Sequence, residues 1–272
     1  MADWHQRVQA GRCGAGGELF RVIREQEETD LAHAQRLKDP GDMVTLRRLM
    51  DEQREREALV AGVEALDIRL ARPFRKPPLP YPSRFGRVSD PGILYASRAP
   101  LTCLAEKAYY QFRFLHDQQT PPPKAISATY ALLVAGYSTP HGLPLDAPTW
   151  QDRRAEITSP LDYTLCQAVG QCARQAGIKA IEFPSARLLP YLTRRRSRRV
   201  DAGQRRGDCN IAVLSPQALS GDSPRDTFRV SSQETQDLIR FFLWGMEPGV
   251  SVREVRFRLA PLLVNGQLPI PS

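Results

Sequence analysis

Between residues 70 and 92 the chain carries six prolines: Pro73, Pro77, Pro78, Pro80, Pro82 and Pro91. Each removes a backbone donor and restricts the residue before it, so no helix or interior strand runs through that stretch. The parts on either side read differently. Residues 1–16 read as a flexible N-terminus and 17–69 as a helical segment. There Leu19, Phe20, Val22 and Ile23 open one helix. Met43, Leu46, Leu49 and Met50 recur at helical spacing in a second, followed by Leu59, Val60, Val63 and Leu66. About fifty residues make a marginal core alone, so this segment is expected to pack on the main domain.

Beyond the prolines, strands and helices mix. A β-favouring run at 93–97 precedes a helix at 102–115, with Thr102 as its N-cap. The apolar stripe of that helix is Leu101, Leu104, Ala105, Ala108, Phe112 and Leu115. Glu106 stands about 200° from Leu104, off the stripe and beside Tyr109, Tyr110 and Arg113. A strand at 125–137 leads to a loop with Pro140, Pro144 and Pro148, then a helix at 161–176 closed by Gly177. Strands follow at 178–183, 210–214 and 226–230. Ser231-x-x-Glu234 reads as a capping box opening a helix through Trp244, and 250–259 alternates as a last strand. Regular βαβ alternation is absent, so the expected class is α+β, a mixed β core with flanking helices.

Charge and cysteine usage narrow the chemistry. The net charge is +8, but seven arginines and Asp201 between 194 and 206 supply +6 of it, so the basicity is local. The five cysteines show no C-x-x-C spacing and the four histidines are isolated, which leaves no metal constellation and no cysteine–histidine dyad. A reducing, cytoplasmic compartment is expected. The apolar run around 130–137 is far short of a bilayer span, and the first fifteen residues show no apolar core of a secretory signal. The common glycine-rich phosphate loops do not occur.

Three ordered segments carry a family resemblance. The first is Arg72-Pro73-Phe74-Arg75-Lys76-Pro77-Pro78, then Ser83-Arg84-Phe85-Gly86. The second is Gly92-Ile93-Leu94-Tyr95-Ala96-Ser97, then Leu104-Ala105-Glu106-Lys107-Ala108-Tyr109-Tyr110. The third is Tyr163-Thr164 to Ala176-Gly177, then Phe183-Pro184-Ser185-Ala186-Arg187, then Asn210-Ile211-Ala212-Val213. The set resembles the RES-domain family of bacterial toxins. The resemblance implies a RES-like NAD-binding domain over 70–260, with a basic insertion at 188–208 and a tail at 261–272. It also implies a fold similar to ADP-ribosyltransferase toxins, NAD⁺ as substrate rather than cofactor, and an antitoxin partner covering the cleft. A glycine pair and a tryptophan usual around the second arginine are replaced here by Ser83 and Phe85.

Within that resemblance Glu106 and Ser185 are the catalytic candidates. A fixed carboxylate beside C1 of the ribose stabilises the positive charge left when nicotinamide departs. Ser185 is suited to hydrogen-bond the ribose or a phosphate; no histidine is placed to make it a nucleophile. Arg75 and Arg84 are candidates for the pyrophosphate, with Arg87 an alternative to Arg84 in register. Tyr95 is a candidate to flank the nicotinamide ring, and Arg187 and Asn210 are supporting candidates. The leading expectation is destruction of NAD⁺ by hydrolysis or phosphorolysis. A mono-ADP-ribosyltransferase acting on a protein is the second. Nucleic-acid binding through 194–206 is the third, disfavoured because no aromatic lies inside that run to stack on bases.

Overall fold

The computed structural model describes residues 2–24, 58–118, 124–192, 207–247 and 249–271. The chain opens with helix α1 (Ala2–Ala10) and strand β1 (Cys13–Arg24). The other strands are β2 (Leu94–Ser97), β3 (Ile126–Pro144), β4 (Ala180–Pro184), β5 (Cys209–Val213), β6 (Asp226–Glu234), β7 (Leu238–Glu247) and β8 (Val250–Arg258). Two further helices, α2 (Pro100–His116) and α3 (Thr164–Gln175), pack against them. This is the α+β class, a mixed sheet with flanking helices, that the sequence indicates.

The sheet runs β1-β2-β5-β4-β3-β6-β7-β8, and β1 also pairs with β3. That pairing closes the first five strands into a ring. β1 is antiparallel to β3 from Cys13↔Gly142 to Arg24↔Tyr130 and meets β2 at Phe20↔Ser97. β5 is antiparallel to both β2 and β4, and β4 returns to β3 in parallel at Gly142↔Ala180. From the other edge of β3, β6, β7 and β8 leave as an antiparallel meander.

Strand alternation sends each set of side chains to a different core. Leu94 and Ala96 of β2, with Ile211 and Val213 of β5, join Leu19, Leu133 and Tyr137 on one face. Tyr95 and Ala212 face the opposite way, onto Phe85, Val169 and Phe183 under α3. A third cluster packs α2 through Leu104, Ala108, Tyr109 and Phe112 onto Tyr130, Ile239, Phe241 and Phe257. The Ser97–Asn210 pair of β2 and β5 lies buried at the end of these strands, beside α2.

Several sequence expectations are corrected here. Residues 2–10 form a helix whose Val8 is fully buried, not a loose leader. Leu19, Phe20, Val22 and Ile23 lie in a strand rather than a helix. β1 is apolar on both faces because Leu19 packs inside the ring while Phe20 and Val22 pack under α2. A short two-sided apolar run has no helix-versus-strand signature. The main domain therefore begins well before residue 70. Leu59, Val63 and Leu66 are buried in turns, and the helix expected around Met43 to Met50 falls outside the described residues.

β3 continues through Gly136 and Pro140 to Pro144, where a loop was expected. A register shift between Cys13 and Ala15 in its partner accommodates the donor that Pro140 lacks. The Ser231–Glu234 capping box opens no helix; these residues belong to β6, and Thr235 turns the chain into β7. Thr102 is not the N-cap of α2 but lies inside it, donating to Gly207 O at 2.5 Å. The expected tail packs back: Val264 bridges Gln267, and Tyr109 donates to Pro269 O.

Candidate active site

The centre of the site is the carboxylate of Glu106 on α2. Ser185 Oγ donates to its Oε1 at 2.7 Å, and Asn210 Nδ2 donates to the same oxygen at 2.6 Å. Both donors are nearly inaccessible to solvent, at 0 % and 5 % exposure. Ser185 follows β4 directly, and Leu188 N donates to its Oγ at 3.1 Å, which turns the hydroxyl proton toward Glu106. Asn210 is oriented by Ser97, whose Oγ donates to Asn210 Oδ1 at 2.6 Å. The register Ser97↔Asn210↔Phe183 brings these groups side by side across β2, β5 and β4. Glu106 itself is half-buried. Because both donors converge on Oε1, they leave the second oxygen to other partners.

A second layer fixes the turn at 83–86. Tyr95 Oη donates to Ser83 Oγ at 3.0 Å and accepts from Phe85 N at 3.0 Å. Burial pushes the Tyr95 phenol up to about 12, so it stays a neutral donor. Gly170 of α3 lies flat against this turn, and a Cβ there would sit 2.2 Å from Phe85 O. Arg84, 8 % exposed, donates to Ile157 O at 2.8 Å and Ser159 O at 3.0 Å. Its guanidinium lies 4.1 Å from the Tyr163 ring centroid. Burial opposes that charge, but Tyr163, Cys166 and Glu106 more than offset it and hold the Arg84 pKa above its ordinary value. Arg187 is disposed in the same manner, 3.6 Å over the Tyr109 ring and donating to Pro160 O at 3.2 Å. The two arginines thus hold one segment, 157–160, by its carbonyls.

Among the sequence candidates, the structure unites Glu106, Ser185 and Asn210 directly. Tyr95 and Arg84 are joined through the 83–86 turn, and Arg187 lies against the Tyr109 ring. Arg75 stands apart from these contacts. It is exposed, and its backbone bridges Leu59 and accepts from Gly92 N. Tyr109, which helical geometry places on the open side with Glu106, is fully buried beneath Arg187 and the C-terminal segment. Sequence reasoning missed Ser97 and Tyr163. Ser97 had a signal, since it stands two residues after Tyr95 and so shares its face. Tyr163 opens the third family segment, but its stacking on Arg84 depends on the fold of 157–163. The arginine cluster at 194–206 lies outside the described residues. A groove of about 460 Å³ on the outer face of β3, β6 and β7, lined by Ser127, Thr129, Ser231 and Trp244 among others, includes none of the candidates.

A family model described as the RES domain matches residues 59–232. The chain belongs to the RES-domain family. No curated protein matches it. The RES match contains Glu106, Arg84, Tyr95, Ser185, Arg187 and Asn210 with Ser97 and Tyr163, whereas β1, β7 and β8 lie outside it. Among the described residues no His, Cys, Asp and Glu cluster suits a metal ion, and no helix is long and apolar enough to cross a membrane.

Proposed function

We propose that this RES-domain protein binds NAD⁺ and cleaves its nicotinamide–ribose bond, as an NAD⁺-consuming toxin. The observation that carries the reading is the carboxylate of Glu106, fixed through one oxygen by two buried neutral donors. Such an anion is preorganised: it does not have to reorient as charge develops. Cleavage breaks the C1–N bond with both electrons leaving on neutral nicotinamide, and the ribose takes on oxocarbenium character. Glu106 Oε2 faces that charge or holds a ribose hydroxyl. Water or phosphate then forms the new C1–O bond and releases a proton.

Tyr95 and Tyr163 supply aromatic surface for the nicotinamide ring. Arg84 and Arg187, buried against 157–160, supply positive charge beneath the site that favours an anionic dinucleotide. A second protein closing over the site fits the role of an antitoxin. Purified protein incubated with NAD⁺, with and without phosphate, tests the reading. Nicotinamide should appear together with ADP-ribose, or with its 1-phosphate when phosphate is present. Label from NAD⁺ appearing on protein, with little free ADP-ribose, would instead identify a protein ADP-ribosyltransferase.

A further inference from the structure

We propose that Glu234 is a positioning residue for Glu106, holding helix α2 in the rotational setting that points Glu106 at Ser185 and Asn210. The proposal rests on reading Glu106 as the catalytic carboxylate. Glu234 ends β6, two residues past the RES match, and is 1 % exposed. Its Oε2 accepts from Gln111 Nε2 at 2.7 Å. Its Oε1 accepts from Tyr130 Oη at 2.8 Å and from Ser232 Oγ at 2.5 Å. Gln111 also donates to Tyr130 Oη at 2.8 Å, and the Lys107 ammonium lies 4.7 Å from the Tyr130 ring centroid.

Lys107 and Gln111 stand one helical turn apart on α2, and the adjacent row of the same helix is Glu106 and Tyr110. A rotation that separated Gln111 from Glu234 would therefore swing Glu106 off its two donors. Leu104, Tyr109 and Phe112 seat α2 in the core, while the buried residues flanking Glu106 most closely, Ala105 and Ala108, offer only methyl groups to fine-tune its rotation. An apolar pair could join helix and sheet as stably as a buried carboxylate. What the carboxylate adds is direction, through three hydrogen bonds of fixed geometry.

A ligand-binding role fits less well. The cavity beside Glu234, lined by Arg24, Gln111, Phe114 and Ile126 among others, measures about 100 Å³. That is room for a few water molecules, not for a nucleotide. Burial lowers the Lys107 pKa, and the neighbouring Glu234 carboxylate offsets part of that cost.

The test uses the full chain and three variants, Glu234→Ala, Glu234→Gln and Gln111→Ala. Each is examined for NAD⁺ turnover, for thermal unfolding and for the NMR resonances of the Asn210 side-chain amide. Displacement of a catalytic group by about 1 Å can cost about 100-fold in rate. Glu234→Ala should lower kcat at least about tenfold with KM changed less than about twofold. It should also shift the Asn210 amide protons. Glu234→Gln keeps the shape and the oxygen that accepts from Tyr130 and Ser232 but turns the other acceptor into a donor, which the Gln111 amide can meet by presenting its oxygen; it should restore part of kcat and return the Asn210 resonances part of the way toward those of the parent. If Glu234→Ala does not fold, Gln111→Ala decides, since it removes one helix-surface amide and keeps a strong helix former. Unchanged kcat with unmoved Asn210 resonances in a folded variant overturns the proposal. Absence of NAD⁺ turnover in the parent protein counts against the functional reading alone, because the Asn210 amide still reports whether Glu234 sets Glu106.

Discussion

Ser185 and Asn210 place two neutral donors on one oxygen of Glu106, and the first expectation concerns that anion. Glu106→Gln keeps the size of the side chain but removes the charge, so NAD⁺ turnover should fall at least about 100-fold with little loss of stability. Turnover within tenfold of the parent would remove Glu106 from the chemistry. Tyr95→Phe acts differently, because the hydroxyl bridges Ser83 Oγ and Phe85 N. Its loss leaves a backbone N–H without that acceptor and should cost about 1–3 kcal/mol, measurable by denaturant unfolding. An unchanged midpoint would show that the 83–86 turn does not depend on Tyr95. The residues of the Glu106 triad were legible in the sequence as motif positions. What was not legible is who touches whom. Arg84, expected to face a pyrophosphate, and Arg187, expected to support the site, direct described hydrogen bonds to the carbonyls of 157–160, and a sequence carries no record of which carbonyls a long side chain will reach.

At the scale of elements, the site is held by close approaches and by a strand outside the family match. Gly170 lets α3 lie on the backbone of the Arg84 turn. Gly170→Ala should therefore destabilise the fold by about 1–3 kcal/mol through overpacking, and a melting temperature equal to the parent's would contradict it. β1 closes the ring of five strands and pairs with β3 over most of its length. A chain starting at residue 59 retains the whole RES match but loses β1, and it should lose the cooperative unfolding transition seen in the full chain. Helices α2 and α3 and the short strands β2, β4 and β5 were legible because each has one clear period or one short β-favouring run. β1 was not, since its apolar side chains pack on both of its faces. Nor was the β6–β7 hairpin, because Ser231–Glu234 carries the residue types of a capping box while tertiary pairing with β3 and β7 decides their conformation.

The whole molecule buries four of its five thiols. Cys103, Cys166, Cys172 and Cys209 are nearly inaccessible, and Cys13 is exposed. A thiol reagent at neutral pH should therefore titrate one cysteine quickly and the other four only on unfolding; two or more fast thiols would contradict the packing of the cores. Burial pushes Cys103 and Cys209 from 9.0 up to about 12, and Tyr95 from 10.0 to about 12. The folded chain thus holds these protons more tightly than the unfolded chain does. The stability this contributes is complete below the unfolded values and is lost as pH rises from about 9 toward 12. The melting temperature should fall across that window, whereas a constant value from pH 8 to 11.5 would show that these groups are not buried in solution. The central claim, that a fixed carboxylate between α2 and the sheet destroys NAD⁺, is tested most directly by following NAD⁺ with equal amounts of the purified parent protein and Glu106→Gln. The account expects steady NAD⁺ loss with release of free nicotinamide in the parent and almost none in the variant; equal loss in both, or none in a folded parent, would contradict it.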